Sequence, residues 1–285
     1  MGKSGAAGRA LIYTDGVWRE DGAPVVSPKS HAMWLSSVVF DGARAFNGVV
    51  PDLDMHCERT CTSARILGLE PTHTGEQITE LAREGIAQFD RQAELYVCPM
   101  YYAESGFVNP DPASTRFALS VYESPLPEPS GFSAMLTKYR RPAKDMAPTE
   151  AKASCLYPNV ARGLREVGDL GFDMGVVLDP VGNVAEFSYA NLFMAKGGAV
   201  FTPAPNGTFL DGITRRRVIG LLRDAGIEVI EKALTFEDLE EADELFASGN
   251  YAKVFPCTKL ADRVLQPGPL YSKARELYFD WARGQ

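Results

Sequence analysis

Histidine and cysteine are scarce in this 285-residue chain, with three of one and five of the other. Cys57, Cys61, Cys98, Cys155 and Cys257 form no Cys-x-x-Cys pair and leave an odd one over, which argues against a disulfide framework and suits a reducing compartment. His56 stands near Cys57 and Cys61 without further ligands at regular spacing, so no metal is expected. Long apolar runs are missing too, which excludes a membrane-spanning helix. The opening Met1-Gly-Lys-Ser-Gly-Ala6 lacks the apolar core of a signal peptide, has Ala where myristoylation needs a hydroxyl, and has no upstream glycine to make Gly2-Lys3-Ser4 a phosphate loop. Cations are in the minority, 29 Lys and Arg against 37 Asp and Glu, for a net charge of -8. A nucleic-acid surface needs clustered cations, and the one triplet, Arg215-Arg-Arg217, reads as a solvated helix face. The expectation is a cytoplasmic protein that binds neither membrane nor nucleic acid.

What is present is enough apolar material for a real core, 45% of the residues. The segment Glu123-Ser-Pro-Leu-Pro-Glu-Pro-Ser-Gly131 carries three prolines and almost no core-forming side chains, so it reads as a linker. It separates a small N-terminal α/β domain, residues 1–122, from a larger C-terminal α/β domain, residues 132–285. Upstream, His56 to Leu67 reads as a helix ended by Gly68, and Thr74 to Gln77 as a capping box opening a helix through Ile78, Leu81, Ile86 and Phe89. Leu95–Met100 and Phe117–Tyr122 read as strands. Downstream, Met174–Leu178, a turn at 179–183 and the run Val184–Phe193 read as a hairpin, and a second capped helix opens near Thr235. Asn206-Gly-Thr208 matches a glycosylation sequon but reads as a turn.

Three features of the second half carry chemistry. Lys152 lies in Ala151-Lys-Ala-Ser-Cys-Leu-Tyr157, a small and apolar setting that favours a neutral, nucleophilic amine; alone, the segment reads better as a surface lysine on a strand end. Glu186, between Ala185 and Phe187 on an apolar strand, is costly unless something cationic meets it. Gly212-Ile213-Thr214 leads into the amphipathic pattern Val218, Ile219, Leu221, Leu222, closed by Gly226. Free N–H groups and the helix dipole there suit a phosphate, although a Thr-capped helix is the plainer alternative. An amine for an aldehyde, an acid for a protonated pyridine nitrogen and donors for a phosphate are together what pyridoxal 5'-phosphate (PLP) requires.

These runs, with Phe40-Asp-Gly-Ala-Arg44, His56-Cys-Glu-Arg59 before Ser63-Ala64, Tyr96 followed by Pro99, Asn191 and Ser248-Gly249, resemble the class IV, branched-chain-type aminotransferases over nearly the full length. The resemblance implies a two-domain, fold-type IV α/β (mixed α+β) architecture and a homodimer. It implies that Lys152 holds the cofactor's aldehyde as a Schiff base and shuttles the proton, that Glu186 pairs with the pyridine nitrogen, and that Tyr157 lies against the phenolic oxygen. By the same resemblance Arg59, Ile213 and Thr214 hold the phosphate, Leu210 packs on the ring, and Asn250 replaces a phosphate-contacting threonine.

Departures from the family pattern fall on the substrate side, where Trp34, Leu35, Phe40, Tyr96, Cys98 and Tyr251 are the expected pocket residues. The family's Tyr-x-Arg-Pro is here Tyr96-Val97-Cys98-Pro99, and its Tyr-Gly pair is Leu35-Ser36. Losing a guanidinium that binds a carboxylate removes roughly 1.5 to 3 kcal/mol. Phe187 and Tyr189 add bulk near Glu186. The expected activity is ping-pong amino transfer between a hydrophobic amine or branched-chain amino acid and a 2-oxo acid, with the departures favouring an (R)-selective amine transaminase. The alternatives are an ordinary branched-chain transaminase, a PLP lyase, or a noncatalytic PLP-binding protein.

Overall fold

Two antiparallel strands, β1 (Ala10–Thr14) and β2 (Val17–Glu20), begin the described chain, which comprises residues 8–22 and 24–285 of a computed structural model. The expectations drawn from Met1 to Ala6 lie outside the described residues. Contacts divide the chain into two units. The first runs to Leu126 and takes back Glu150–Cys155; the second holds Pro127–Thr149 and Leu156–Gly284.

In the first unit follow α1 (His31–Leu35), β3 (Val38–Phe40), β4 (Ala43–Ala45), α2 (Leu53–Ile66), α3 (Gly75–Ile86), β5 (Leu95–Ala103) and β6 (Thr115–Glu123). The strands form one antiparallel sheet in the order β2-β1-β6-β5-β3, with β4 also paired to β5. The capping box that opens α3 forms as expected: Gln77 N donates to Thr74 Oγ1 at 3.2 Å and Thr74 N to Gln77 Oε1 at 2.8 Å. Helix α2 ends at Gly68, whose φ of +75 closes the turn, but it starts at Leu53, three residues before the expected His56. Leu53, Cys57, Cys61 and Ala64 face inward along α2 and pack with Ile78, Val97 and Leu119. Ala151 and Ala153 are fully buried in that same core.

The second unit comprises β7 (Phe132–Leu136), α4 (Tyr157–Asp169), β8 (Met174–Leu178), β9 (Val184–Phe187), β10 (Asn191–Lys196), β11 (Ala199–Pro203), α5 (Ile213–Asp224), β12 (Val229–Lys232), α6 (Phe236–Glu240), β13 (Glu244–Gly249), β14 (Lys253–Leu260), β15 (Arg263–Val264) and α7 (Pro269–Arg283). Its nine-stranded sheet runs β12-β11-β10-β13-β14-β7-β8-β9, with β15 on β14. Pairings β11–β12, β14–β7 and β7–β8 are parallel, the rest antiparallel. The run expected as one strand, Val184–Phe193, is two: Phe187 N donates to Ala190 O at 2.9 Å, turning the chain so that β9 pairs with β8 while β10 pairs with β11 and β13. The run has no glycine or proline to mark such a turn.

The expected partition assigned Lys152 to residues 132–285. The contacts put it with the first unit, because Phe40 N donates to Lys152 O at 3.1 Å, Lys152 N donates to Ser63 Oγ at 3.0 Å, and Val39 bridges Ala153. Among the described residues no helix is long and apolar enough to cross a membrane. The described cysteines are all free, and among the described residues no group of three His, Cys, Asp or Glu is placed to hold a metal ion.

Candidate active site

Lys152 lies outside any named strand, beside the isolated bridge between Val39 and Ala153. Its neighbours Ala151 and Ala153 enter the core, while Lys152 itself is half-buried and its Nζ lies 4.9 Å from the centre of the Phe40 ring. One residue on from Phe40 is Asp41, which is fully buried. Its Oδ1 is 2.7 Å from His56 Nδ1 and accepts from Arg59 Nη2 at 2.8 Å and Gly42 N at 2.7 Å, while Oδ2 accepts from Arg59 Nε at 2.6 Å. Burial alone would raise the Asp41 carboxyl, but Arg59 and His56 outweigh it and hold it well below the usual carboxylate range. An ionised carboxylate only accepts, so His56 Nδ1 carries the proton of that bond. Asp41 is the site residue to which the sequence reading gave no role. The signal was available: an acid next to Phe40 facing a His and an Arg three residues apart on one helix face.

Cys98 on β5 belongs to the same neighbourhood. Burial pushes its thiol up to about 12, with Asp41 adding to the rise and Lys152 and Ser120 opposing it. The position is therefore neutral at pH 7, as the loss of the family's arginine implied. Tyr96, two residues earlier, stacks on Tyr122 at 5.5 Å and has the Arg44 guanidinium 5.5 Å from its ring centre. Trp34 and Leu35 are 75% and 50% exposed on α1, the indole N–H donating to Pro28 O.

In the second unit Glu186 sits on β9, paired with Val177 of β8 and buried. The cation that burial demands is Arg141, whose Nε lies 3.4 Å from Glu186 Oε1 and donates to Thr208 O at 2.9 Å. Sequence reasoning missed it, although the basic run Lys138 to Arg141 precedes Lys152 closely. Phe187 points the other way, fully buried and edge-to-face with Phe132 at 4.9 Å. It fills the core, so its expected bulk near Glu186 does not arise. Tyr189 and Tyr251 are 45% and 47% exposed, and burial followed by the nearby Tyr251 raises the Tyr189 phenol. Tyr157 opens α4 and is half-buried.

The start of α5 differs from an ordinary capped helix. The N-cap is Gly212, with no side-chain cap, and Thr214 lies within the first turn. A Cβ at Gly212 would come within 2.1 Å of Asn191 Oδ1, so only glycine allows this approach. Asn191 Nδ2 in turn donates to Leu210 O at 2.9 Å and anchors the loop. Arg215 was expected on a solvated face but is 1% exposed. Its guanidinium binds Asp211 Oδ1 at 2.7 Å, Pro203 O and Glu231 Oε2 each at 2.9 Å, and Thr202 Oγ1 at 3.3 Å, because these acceptors surround the point where the loop leaves β11. Across β10–β13 from Asn191 stands Ser248. Ser248 Oγ and, two residues on, Asn250 Nδ2 are buried polar atoms with no hydrogen-bond partner. A helix N-terminus with bare amides, a glycine that brings them close and two unsatisfied polar atoms nearby fit a phosphate group.

A sequence model for amino-transferase class IV matches residues 38–260. The chain belongs to the class IV aminotransferases. A crystal structure of an aminotransferase from Brucella abortus bound to PLP is 50% identical, with a TM-score of 0.95 over 96% of this chain and 99% of that one. The branched-chain aminotransferase of Thermoproteus uzoniensis, solved with norvaline, is 30% identical, with a TM-score of 0.90 over 97% and 96%. A Rickettsia bellii protein named "Probable branched-chain-amino-acid aminotransferase" is 32% identical over 228 residues, 79% of this chain and 78% of its own length. This class IV aminotransferase is thus a PLP-dependent transaminase of the two-domain fold-type IV architecture.

Proposed function

We propose that this transaminase moves an amino group from a hydrophobic amine to a 2-oxo acid, with (R)-selectivity for amines that carry no carboxylate. The observation behind this reading is Cys98. A half-buried thiol pushed up to about 12 stands near Lys152 where the family has an arginine. It offers a donor carboxylate no charge-assisted hydrogen bond, which costs roughly ten- to a hundredfold in affinity. A second reading, an ordinary branched-chain L-amino acid transaminase, is favoured by relatives such as those of Rickettsia bellii and Thermoproteus uzoniensis.

When bound, PLP supplies the electron sink that makes the donor's α proton acidic. Lys152 Nζ would hold the cofactor's aldehyde and, once released, would serve as the base for that proton. Phe40 beneath the amine keeps its surroundings apolar. Glu186, steadied by Arg141, carries the negative charge that keeps a pyridine nitrogen protonated. Ile213 and Thr214 offer backbone N–H groups to the phosphate, with Arg59 and Asn250 as side-chain contacts. Tyr157 and Leu210 bear on the ring, and Trp34, Leu35, Tyr96 and Tyr251 border the donor.

We further infer a homodimer acting on small molecules in the cytoplasm. Met33, Trp34 and Leu35 on α1 and Phe107 and Val108 after β5 are exposed apolar side chains. The two segments adjoin through His31 N donating to Glu104 O, and a second copy would cover such a patch. Free cysteines suit a reducing compartment.

The deciding experiment follows the visible spectrum of PLP-loaded enzyme during half-reactions with (R)-1-phenylethylamine and, separately, L-leucine. Bleaching by the amine and not by leucine is expected. Bleaching by leucine alone would make it a branched-chain transaminase; release of pyruvate without amino transfer would make it a lyase.

A further inference from the structure

The turn between β13 and β14 passes through Asn250, Tyr251 and Ala252 and closes on the pair Gly249–Lys253. A residue in the left-handed region is at ease as glycine and strained with a side chain. Here that residue is Lys253, with φ at +61. Its side chain is also 1% exposed, where an ammonium loses its hydration. Neither feature helps to make a turn, and a residue held against both preferences points to a role beyond folding.

The lysine's contact supplies the role. Lys253 Nζ donates to Asn250 Oδ1 at 2.7 Å, and lies 5.9 Å from the centre of the Tyr278 ring. An ammonium can only donate, so the contact fixes which end of the Asn250 amide is oxygen. The other end, Nδ2, is the buried donor left without a hydrogen-bond partner, as is Ser248 Oγ two residues before it. Ser248 faces Asn191, which abuts Gly212 at the start of α5.

We propose that Lys253 is a positioning residue for the cofactor's phosphate: by engaging Oδ1 it commits the Asn250 amide to donating, which is what an anion requires. A free amide can turn and present its oxygen to the phosphate, where it repels; the locked one cannot. The inference rests on the reading of Asn250 as a phosphate contact.

The test compares binding of PLP with binding of pyridoxal, the same aldehyde without phosphate, to apoenzyme by visible absorbance, together with the 31P NMR shift of the bound phosphate. Lys253→Gly suits the backbone at φ +61, so it should fold with an unchanged or higher Tm. It is expected to weaken PLP about ten- to a hundredfold, to leave pyridoxal unchanged and to move the 31P signal. Lys253→Arg, which keeps a donor, should restore most of the preference. In N250A the lysine has nothing to orient, so N250A/K253G should bind PLP no more weakly than N250A. A wild-type ratio of PLP to pyridoxal affinity in K253G, or losses that add in the double variant, would overturn the proposal. If the wild-type apoenzyme binds PLP but holds it no more tightly than pyridoxal, the phosphate reading of Asn250 fails and this inference fails with it.

Discussion

Around Lys152 the first unit sets charge with side chains, whereas at the start of α5 the second unit sets it with backbone. Asp41 gathers bonds from His56, Arg59 and Gly42 in a fully buried position, an arrangement that stands or falls with one carboxylate. The α5 loop spreads its support over Asn191, Arg215 and a glycine, and leaves its own N–H groups for a ligand. The first design resists acid poorly and tolerates no replacement at its centre. The second should lose function by degrees.

The sharpest break is Lys152→Ala. Its side chain lies over Phe40 outside the core, so the fold should survive while turnover falls by at least about 10⁴-fold, the upper range for a general base, with the nucleophile lost besides. Single-turnover bleaching is the measurement, and near-normal activity would remove Lys152 from the chemistry.

Next is Asp41→Asn, which leaves Arg59 and His56 facing a neutral amide. Breaking a buried ion pair from one side costs about 3–5 kcal/mol, readable as a lower urea midpoint. The pH dependence follows from the depressed Asp41 carboxyl. Its contribution is fully present above the ordinary carboxylate range and is lost as pH falls below that range toward the folded value. Wild type should therefore lose stability between about pH 4 and lower values, and the Asn variant should show a flatter acid limb; equal slopes would mean that Asp41 is not the group responsible.

How much of this contrast was legible beforehand depends on distance along the chain. The α3 capping box and β8 rest on residues a few positions apart, and both formed as read. The partners of Lys152 did not show, because Val39 and Ser63 meet its segment only through folding, across most of the first unit's length. Arg141 was hidden from Glu186 for the same reason. Position 215 was misread because a triplet of arginines looks solvated unless the acceptors at Asp211, Thr202, Pro203 and Glu231 are known to converge on it. Leu210, Ile213, Thr214 and Asn250 were picked out by motif, yet the lock on Asn250 needs the hairpin register to be seen.

A change on the second unit that acts through charge should be smaller than Asp41→Asn. Glu186→Gln keeps the shape beside Arg141 and is expected to retain PLP while slowing α-proton abstraction about 10²-fold, the scale for removing one preorganised electrostatic contact. An unchanged single-turnover rate would mean that the ring nitrogen does not depend on this acid.

The mildest expected effect sharpens the comparison most, because it touches the backbone design alone. In Gly212→Ala the added Cβ would meet Asn191 Oδ1 at 2.1 Å, closer than any real contact, so either Asn191 or the loop must move. If Asn191 moves, its hydrogen bond to Leu210 O is lost, at about 0.5–1.5 kcal/mol. If the loop moves, the first N–H groups of α5 shift away from the phosphate while Arg215 still anchors Asp211 from behind. Either way the apoenzyme should fold nearly as well as wild type, since helix α5 begins after the affected residue and its buried face is untouched. PLP affinity should fall about tenfold with pyridoxal affinity unchanged. A loss of folding stability as large as that of Asp41→Asn would show that the loop is braced as rigidly as the buried carboxylate, and the contrast between the two units would collapse.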